Sequence, residues 1–194
     1  MIMALCENVI LTDIDGVVLN WMAAFDPWMQ SQGYTLKDTA GEAYDICLAY
    51  DIPKAEAKKQ VFHFNESANM AFLPPLRDAV RYMKKIHEEK GYVFHAITSQ
   101  TSNDYAKRLR IMNLKNLFGL TLFEKFIILD CGADKNDALE PYRGTDCLWV
   151  EDKIQNALLG QEMGLDSILM MHGHNKQCDK IPQFRNWKEI YEIV

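Results

Sequence analysis

The sequence predicts an α/β protein, a Rossmann-like doubly wound parallel sheet with a small helical segment inserted after the first strand. Three observations carry this. Short apolar runs alternate with helix-periodic stretches along most of the 194 residues, the pattern of parallel strands joined by covering helices. The first run, Val9-Ile10-Leu11, ends in Asp13, Asp15 and Gly16, which places two carboxylates where ligands bind in open α/β sheets. The alternation then lapses between about Asn20 and Ala71, where helical patterns succeed one another without a strand.

Strands are predicted near 8–13, 92–97, 125–130, 146–151 and 166–170. Within the lapse, helical stretches fall near 20–31, 39–49 and 53–64. Pro74-Pro75 marks the return to the main domain, and Ala79, Val80, Met83 and Ile86 recur at helical spacing from there toward Gly91. Ala157, Leu158 and Leu159 predict another helix ending near Gly164. The organisation expected is therefore a core of residues 1–19 and 72–194 with a helical cap at 20–71. Trp21, Phe25 and Trp28 share one helical face, which reads first as packing. Trp21 lies nearest the acidic loop and is the exception to weigh.

Composition narrows the function. A hydrophobic fraction of 48% and a charged fraction of 25% are ordinary for a globular chain, and a net charge of -6 argues against general affinity for nucleic acid or anionic membrane. No apolar run approaches the roughly 20 residues of a membrane span, and the start MIMALCEN lacks the pattern of a signal peptide, so a cytoplasmic location is expected. Cys6, Cys47, Cys131, Cys147 and Cys178 are odd in number and form no CxxC pair; they read as reduced thiols. His172 and His174 flank Gly173, a loop rather than a zinc signature.

Four separated pieces align with one chemistry. They are the Asp13/Asp15 pair, the strand Tyr92 to Ser99 ending in Thr98 and Ser99, Lys135 beyond the strand ending at Asp130, and Glu151-Asp152 closing Cys147 to Val150. If these strands are parallel, their ends face one crevice. Two carboxylates about 4 Å apart repel by roughly 4 kcal/mol at an effective dielectric near 20, so such a cluster calls for a cation. Hard oxygen ligands without His or Cys favour magnesium over zinc.

In order and spacing these four motifs resemble the haloacid dehalogenase superfamily of aspartate-nucleophile phosphohydrolases, over almost the whole chain. The resemblance implies that Asp13 attacks phosphorus, that Asp15 serves as acid and then base, and that Thr98 and Lys135 hold the phosphoryl group. It also implies a Mg2+ site of Asp13, Asp152 and the backbone carbonyl of Asp15; Glu151 departs from the more usual aspartate and is a further candidate, through a water on the metal, with support of Lys135 or simple packing as the alternatives.

A narrower similarity, to the 5'(3')-deoxyribonucleotidase family, rests on Phe72-Leu73-Pro74-Pro75-Leu76-Arg77-Asp78-Ala79, Thr98-Ser99, Asp134-Lys135, Glu151-Asp152-Lys153, His174-Asn175 and Arg185-Asn186-Trp187. Gln100 departs from the proline that often follows Thr-Ser there. This similarity places Trp21 toward a base, where stacking would contribute about 1–3 kcal/mol, with Ser99 and Gly16 beside the substrate. The expectation is a magnesium-dependent phosphomonoesterase acting on a small molecule, above all a nucleoside monophosphate, as a monomer or homodimer. The alternatives are a nucleic-acid 3'-end phosphatase, which the charge and the absence of a basic track weaken, and a non-catalytic phosphate- or partner-binding protein.

Overall fold

The computed structural model describes residues 8–194; Cys6 and most of the MIMALCEN start lie outside the described residues. Among the described residues there are six strands: β1 (Val9–Thr12), β2 (Val93–Ser99), β3 (Phe123–Leu129), β4 (Leu148–Glu151), β5 (Asp166–Met170) and β6 (Gln183–Phe184). They form one sheet in the order β3-β2-β1-β4-β5-β6, and every neighbouring pair is parallel. The order reverses direction between β1 and β4, the switch point where α/β sheets open a ligand crevice. Thr12 pairs in register with Ala96 on one side and Val150 on the other. The carboxyl ends of β1, β2 and β4 therefore lie side by side.

Both faces of the sheet are covered, which is why β1 reads as an unbroken apolar run. Ile10 packs with Ala79, Met83 and Ile86 of α4 (Ala79–Lys90), with Leu114 and Phe118 of α5 (Asp104–Phe118), and with Trp187 and Ile190 of the C-terminal helix at Trp187–Tyr191. Val9 and Leu11 point the other way, into a cluster with Leu139, Tyr142, Trp149, Met163 and Leu165. The helix at Asn136–Leu139 and the helix at Ile154–Glu162 belong to that second face; in the latter, Gly160 lets the chain approach the Trp149 ring and Ser167 closely.

Between β1 and α4 the chain forms α1 (Trp21–Ser31), α2 (Ile46–Tyr50) and α3 (Lys54–Asn65), with 3-10 turns at Ala40–Glu42 and Ala68–Ala71. The single helix expected over 39–49 is instead a 3-10 turn followed by a short helix. Ala43 and Asp45 adopt extended backbone between them, which interrupts the helical ladder. Asn20 caps α1 by accepting a hydrogen bond from the Ala23 amide. α5 and β6 are additional elements: α5 buries Arg110 and Asn113 on its inward face, which breaks the apolar stripe, and β6 is only two residues long.

The cysteines divide. Cys47, Cys131 and Cys178 are free, but Cys147 is disulfide-bonded, correcting the expectation of reduced thiols throughout. Spacing along a chain does not report which cysteines meet in space.

Candidate active site

Asp13 is the first residue past β1, and its amide donates to the Val150 carbonyl (2.9 Å). Its side chain is bent back over its own loop: Oδ1 accepts from the Ile14 amide (2.7 Å) and Oδ2 lies 3.0 Å from Lys135 Nζ. The chain then turns sharply, the Gly16 amide donating to Leu19 O (2.9 Å) and the Leu19 amide to Ile14 O (2.8 Å). Gly16 sits at φ +78°, and a Cβ there would collide with the Asp152 carboxylate. A glycine is required on both grounds, backbone conformation and space.

Lys135 reaches in from the start of the helix at Asn136–Leu139. Its ammonium is buried, bridges Asp13 to Glu151 Oε1 (2.7 Å), and lies 5.0 Å from the centroid of the Trp149 ring. Burial alone would lower its pKa, but Asp13 and Glu151 outweigh that and hold it above the ordinary lysine value. Glu151 is saturated: Oε1 also accepts from Asn156 Nδ2 (2.6 Å), and Oε2 accepts from the Asp152 and Lys153 amides (2.7 and 2.6 Å). Lys135 and these donors overcome the effect of burial and keep Glu151 below the usual carboxylate range.

Asp13, Glu151 and Asp152 offer oxygens that all lie within 4.8 Å of one another. Burial, opposed by Lys135 and reinforced by the neighbouring carboxylates, pushes Asp13 up to about 6. Burial and then the charges of Glu151 and Asp13 raise Asp152 well above its ordinary value. Crowded, buried, hard oxygen donors are the chemistry of a divalent-cation site, so the residues present fit magnesium. Asp13 and Asp152 have acceptor capacity to offer it, whereas the four hydrogen bonds of Glu151 occupy its roughly four lone-pair sites.

The loop after β5 braces this centre from behind. Asn175 Nδ2 donates to the Asp152 carbonyl (2.7 Å) and the Met170 carbonyl (2.9 Å), and Asn175 Oδ1 accepts from the His172 amide (2.8 Å). His172 Nε2 lies 2.6 Å from the Gly16 carbonyl and His174 Nε2 lies 3.2 Å from the Asp152 carbonyl, the two rings stacking with centroids 5.4 Å apart. Burial lowers His172 to about 4, so near neutral pH it is an uncharged donor to Gly16. Tyr44, from the segment between β1 and α4, packs edge-on to His174 (5.2 Å), with Lys153 Nζ 5.6 Å from its ring centroid.

Thr98 is buried at the end of β2, and its hydroxyl has no hydrogen-bond partner among the described residues. Ser99 donates to the Ala133 carbonyl (2.9 Å), which orders the loop leading to Lys135. Trp21 is half-buried: its ring stacks on Phe25 (4.2 Å), meets Phe64 edge-on (5.3 Å), and its Nε1 donates to Asn65 Oδ1 (2.9 Å). Asn65 in turn donates to the Gln100 carbonyl (3.1 Å), and Gln100 Nε2 donates to the Asn65 carbonyl (3.1 Å). Gln100 thus joins the end of β2 to α3.

The structure brings Asp13, Gly16, Lys135, Glu151 and Asp152 into direct contact and puts Thr98 on the adjacent strand end. Asp15 turns elsewhere, into a two-pronged ion pair with Arg110 of α5 through both oxygens. Arg110 and Tyr44 carried no signal in the sequence, and His172 read only as part of a loop, because each reaches the acidic turn from a distant part of the chain.

No family model and no curated protein matches this chain in sequence. Solved structures do match. The haloacid dehalogenase-like hydrolase SP0104 from Streptococcus pneumoniae superposes with a TM-score of 0.64 at 15% identity, covering 96% of this chain and 97% of that one. CbbY from Rhodobacter sphaeroides, solved with phosphate, gives 0.60 at 15% identity over 94% and 96%. A D,D-heptose bisphosphate phosphatase from B. bronchiseptica, complexed with magnesium and phosphate, gives 0.55 at 10% identity over 96% and 97%. Over the 94–96% of its length that these structures cover, the chain has the haloacid dehalogenase-like fold.

Proposed function

We propose that this protein is a magnesium-dependent phosphomonoesterase that works through an aspartyl phosphate on Asp13. The observation that carries the reading is Asp13 itself. It sits at the switch point of a parallel sheet, held by the buried Lys135 ammonium at 3.0 Å and clustered with Asp152. Supporting it, two structures of the same fold were solved with phosphate.

Asp13 attacks phosphorus with a carboxylate oxygen, the bond to the leaving oxygen breaks, and that oxygen takes the Asp15 proton. Water then attacks the phosphoryl group and gives its proton to Asp15, and the bond to Asp13 breaks to release phosphate. Lys135 and the Thr98 hydroxyl oppose charge on the phosphoryl oxygens. Asp13, Asp152 and the Asp15 carbonyl would hold Mg2+, which would neutralise the same charge and relieve the carboxylate repulsion. Glu151 orients Lys135 and the Asp152 backbone rather than the ion. Residues 20–71 act as a cap over this centre, and a nucleoside monophosphate is the substrate we assign, with Trp21, Ser99 and Gly16 beside it.

The test is phosphate release from deoxynucleotides, ribonucleotides, sugar phosphates and a 3'-phosphorylated oligonucleotide, with and without magnesium. Magnesium-dependent release, best from mononucleotides and lost in Asp13→Asn, is expected. Robust turnover by Asp13→Asn would sink the nucleophile assignment; preference for sugar phosphates or the oligonucleotide would remove the nucleotide assignment.

A further inference from the structure

We propose that Arg110 is the positioning residue for Asp15, fixing the plane of its carboxyl group so that the outward side presents the proton to the leaving oxygen and later a lone pair to the attacking water. The proposal rests on the phosphomonoesterase reading above.

The geometry is specific. Arg110 is fully buried in the middle of α5, yet both of its terminal nitrogens engage the two oxygens of Asp15, Nη2 to Oδ2 at 3.2 Å and Nη1 to Oδ1 more closely still. A guanidinium fork met by both carboxylate oxygens fixes direction as well as distance. It occupies only the inward pair of the roughly four lone-pair sites of a carboxylate, and the Asp15 side chain remains 24% exposed against 0% for Arg110. One side of Asp15 is therefore locked to the protein while the other is open.

Stability does not account for such a residue. A buried ion pair is weak evidence for stability, because both ions lose their hydration, and here Arg110 Nε is buried without a partner among the described residues. The fork is itself anchored. Nη2 lies 3.2 Å from Met70 Sδ in the turn Ala68–Ala71, and one turn further along α5 Asn113 Nδ2 donates to the Leu73 carbonyl (3.0 Å). Arg110 thus stands where α5 meets the chain returning from the cap, and it ties Asp15 to that junction.

The experiment compares wild type with Arg110→Met, which keeps volume without charge, and Arg110→Lys, which keeps charge without the fork. Each is followed by rapid mixing and at steady state with 4-nitrophenyl phosphate and an alkyl phosphate, with unfolding midpoints recorded alongside. The aryl leaving group needs little protonation, so loss of position at Asp15 spares aspartyl phosphate formation and slows its hydrolysis. Both variants are expected to release a burst of about one 4-nitrophenolate per enzyme. Steady-state kcat should fall by about 10²-fold, the lower end of what general acid–base catalysis contributes, with KM little changed. The alkyl phosphate should show the loss without a burst.

A kcat within two-fold of wild type in Arg110→Met would overturn the proposal. So would an equal loss on both substrates with no burst, which marks a smaller folded fraction, or full recovery in Arg110→Lys, which marks charge alone. Should Arg110→Met fail to fold, Arg110→Lys decides by the same readouts. If wild type turns over with magnesium and the variants show no burst, this inference falls and the phosphomonoesterase reading stands; if wild type hydrolyses no phosphate ester, both fall.

Discussion

Gly16→Ala separates two roles of one glycine, and Gly91→Ala is its internal control. Both glycines sit at φ +78°, but around Gly91 an added Cβ would meet nothing within 4 Å, whereas at Gly16 it would lie 2.9 Å from Asp152 Cγ and closer to Oδ2. The left-handed backbone alone costs an alanine roughly 1–2 kcal/mol, and both variants should show that loss in urea unfolding. Ordinary contact begins at 3.4 Å, and Oδ2 is the nearest atom, so the Asp152 carboxylate must also retreat by about 1 Å. Displacements approaching 1 Å at a reacting centre lower rates by about 10²-fold. We expect Gly91→Ala to keep full kcat, and Gly16→Ala to lose about 10²-fold while requiring more magnesium. Measured on 4-nitrophenyl phosphate across a magnesium titration, a Gly16→Ala enzyme with unchanged kcat and magnesium dependence would refute the placement of Asp152 against this loop.

Lys135→Met leaves Asp13 and Glu151 buried without their shared cation. Breaking a buried pair in this way typically destabilises by about 3–5 kcal/mol, and adding Glu151→Gln should recover part of it in urea unfolding; strict additivity would count against the shared bridge. Asp13 binds a proton more tightly in the folded chain, with its pKa up to about 6 against an ordinary 3.8. Its contribution to stability therefore decreases as pH rises through that window. Magnesium competes with that proton, so it should raise the unfolding temperature more at pH 8 than at pH 5, and equal shifts would contradict the crowding. His172 runs the other way: its folded pKa lies near 4 against 6.5, so its contribution is lost as pH falls from about 6.5 toward 4, and His172→Asn should flatten the acid limb of a stability profile. Gly173→Ala would push a Cβ to 2.9 Å from Gly41 C and still nearer its carbonyl oxygen. It should raise KM more than it lowers kcat, since it lifts the segment carrying Tyr44 away from the site.

How far each part could be read from the sequence follows from the range of the forces involved. β1 and its acidic turn are legible because burial on both faces and the demands of a tight turn act within ten residues. The helices at 21–31 and 54–65 are legible for the same local reason. α5 is harder, because the inward Arg110 and Asn113 interrupt the apolar stripe by which a helix announces itself, and the two residues of β6 carry no period at all. The bonded state of Cys147 is a matter of approach in space.

Residue order alone therefore settles the strand-helix alternation and the acids at the strand ends, since both follow from side-chain type and near-neighbour spacing. Tertiary structure decides how those acids divide their work. Asp13 and Asp152 face one point, Glu151 is consumed by Lys135 and two amides, and Asp15 is held by an arginine 95 residues away. A carboxylate's role depends on which donors meet its oxygens, and those donors arrive from helices and loops that only the folded sheet brings together.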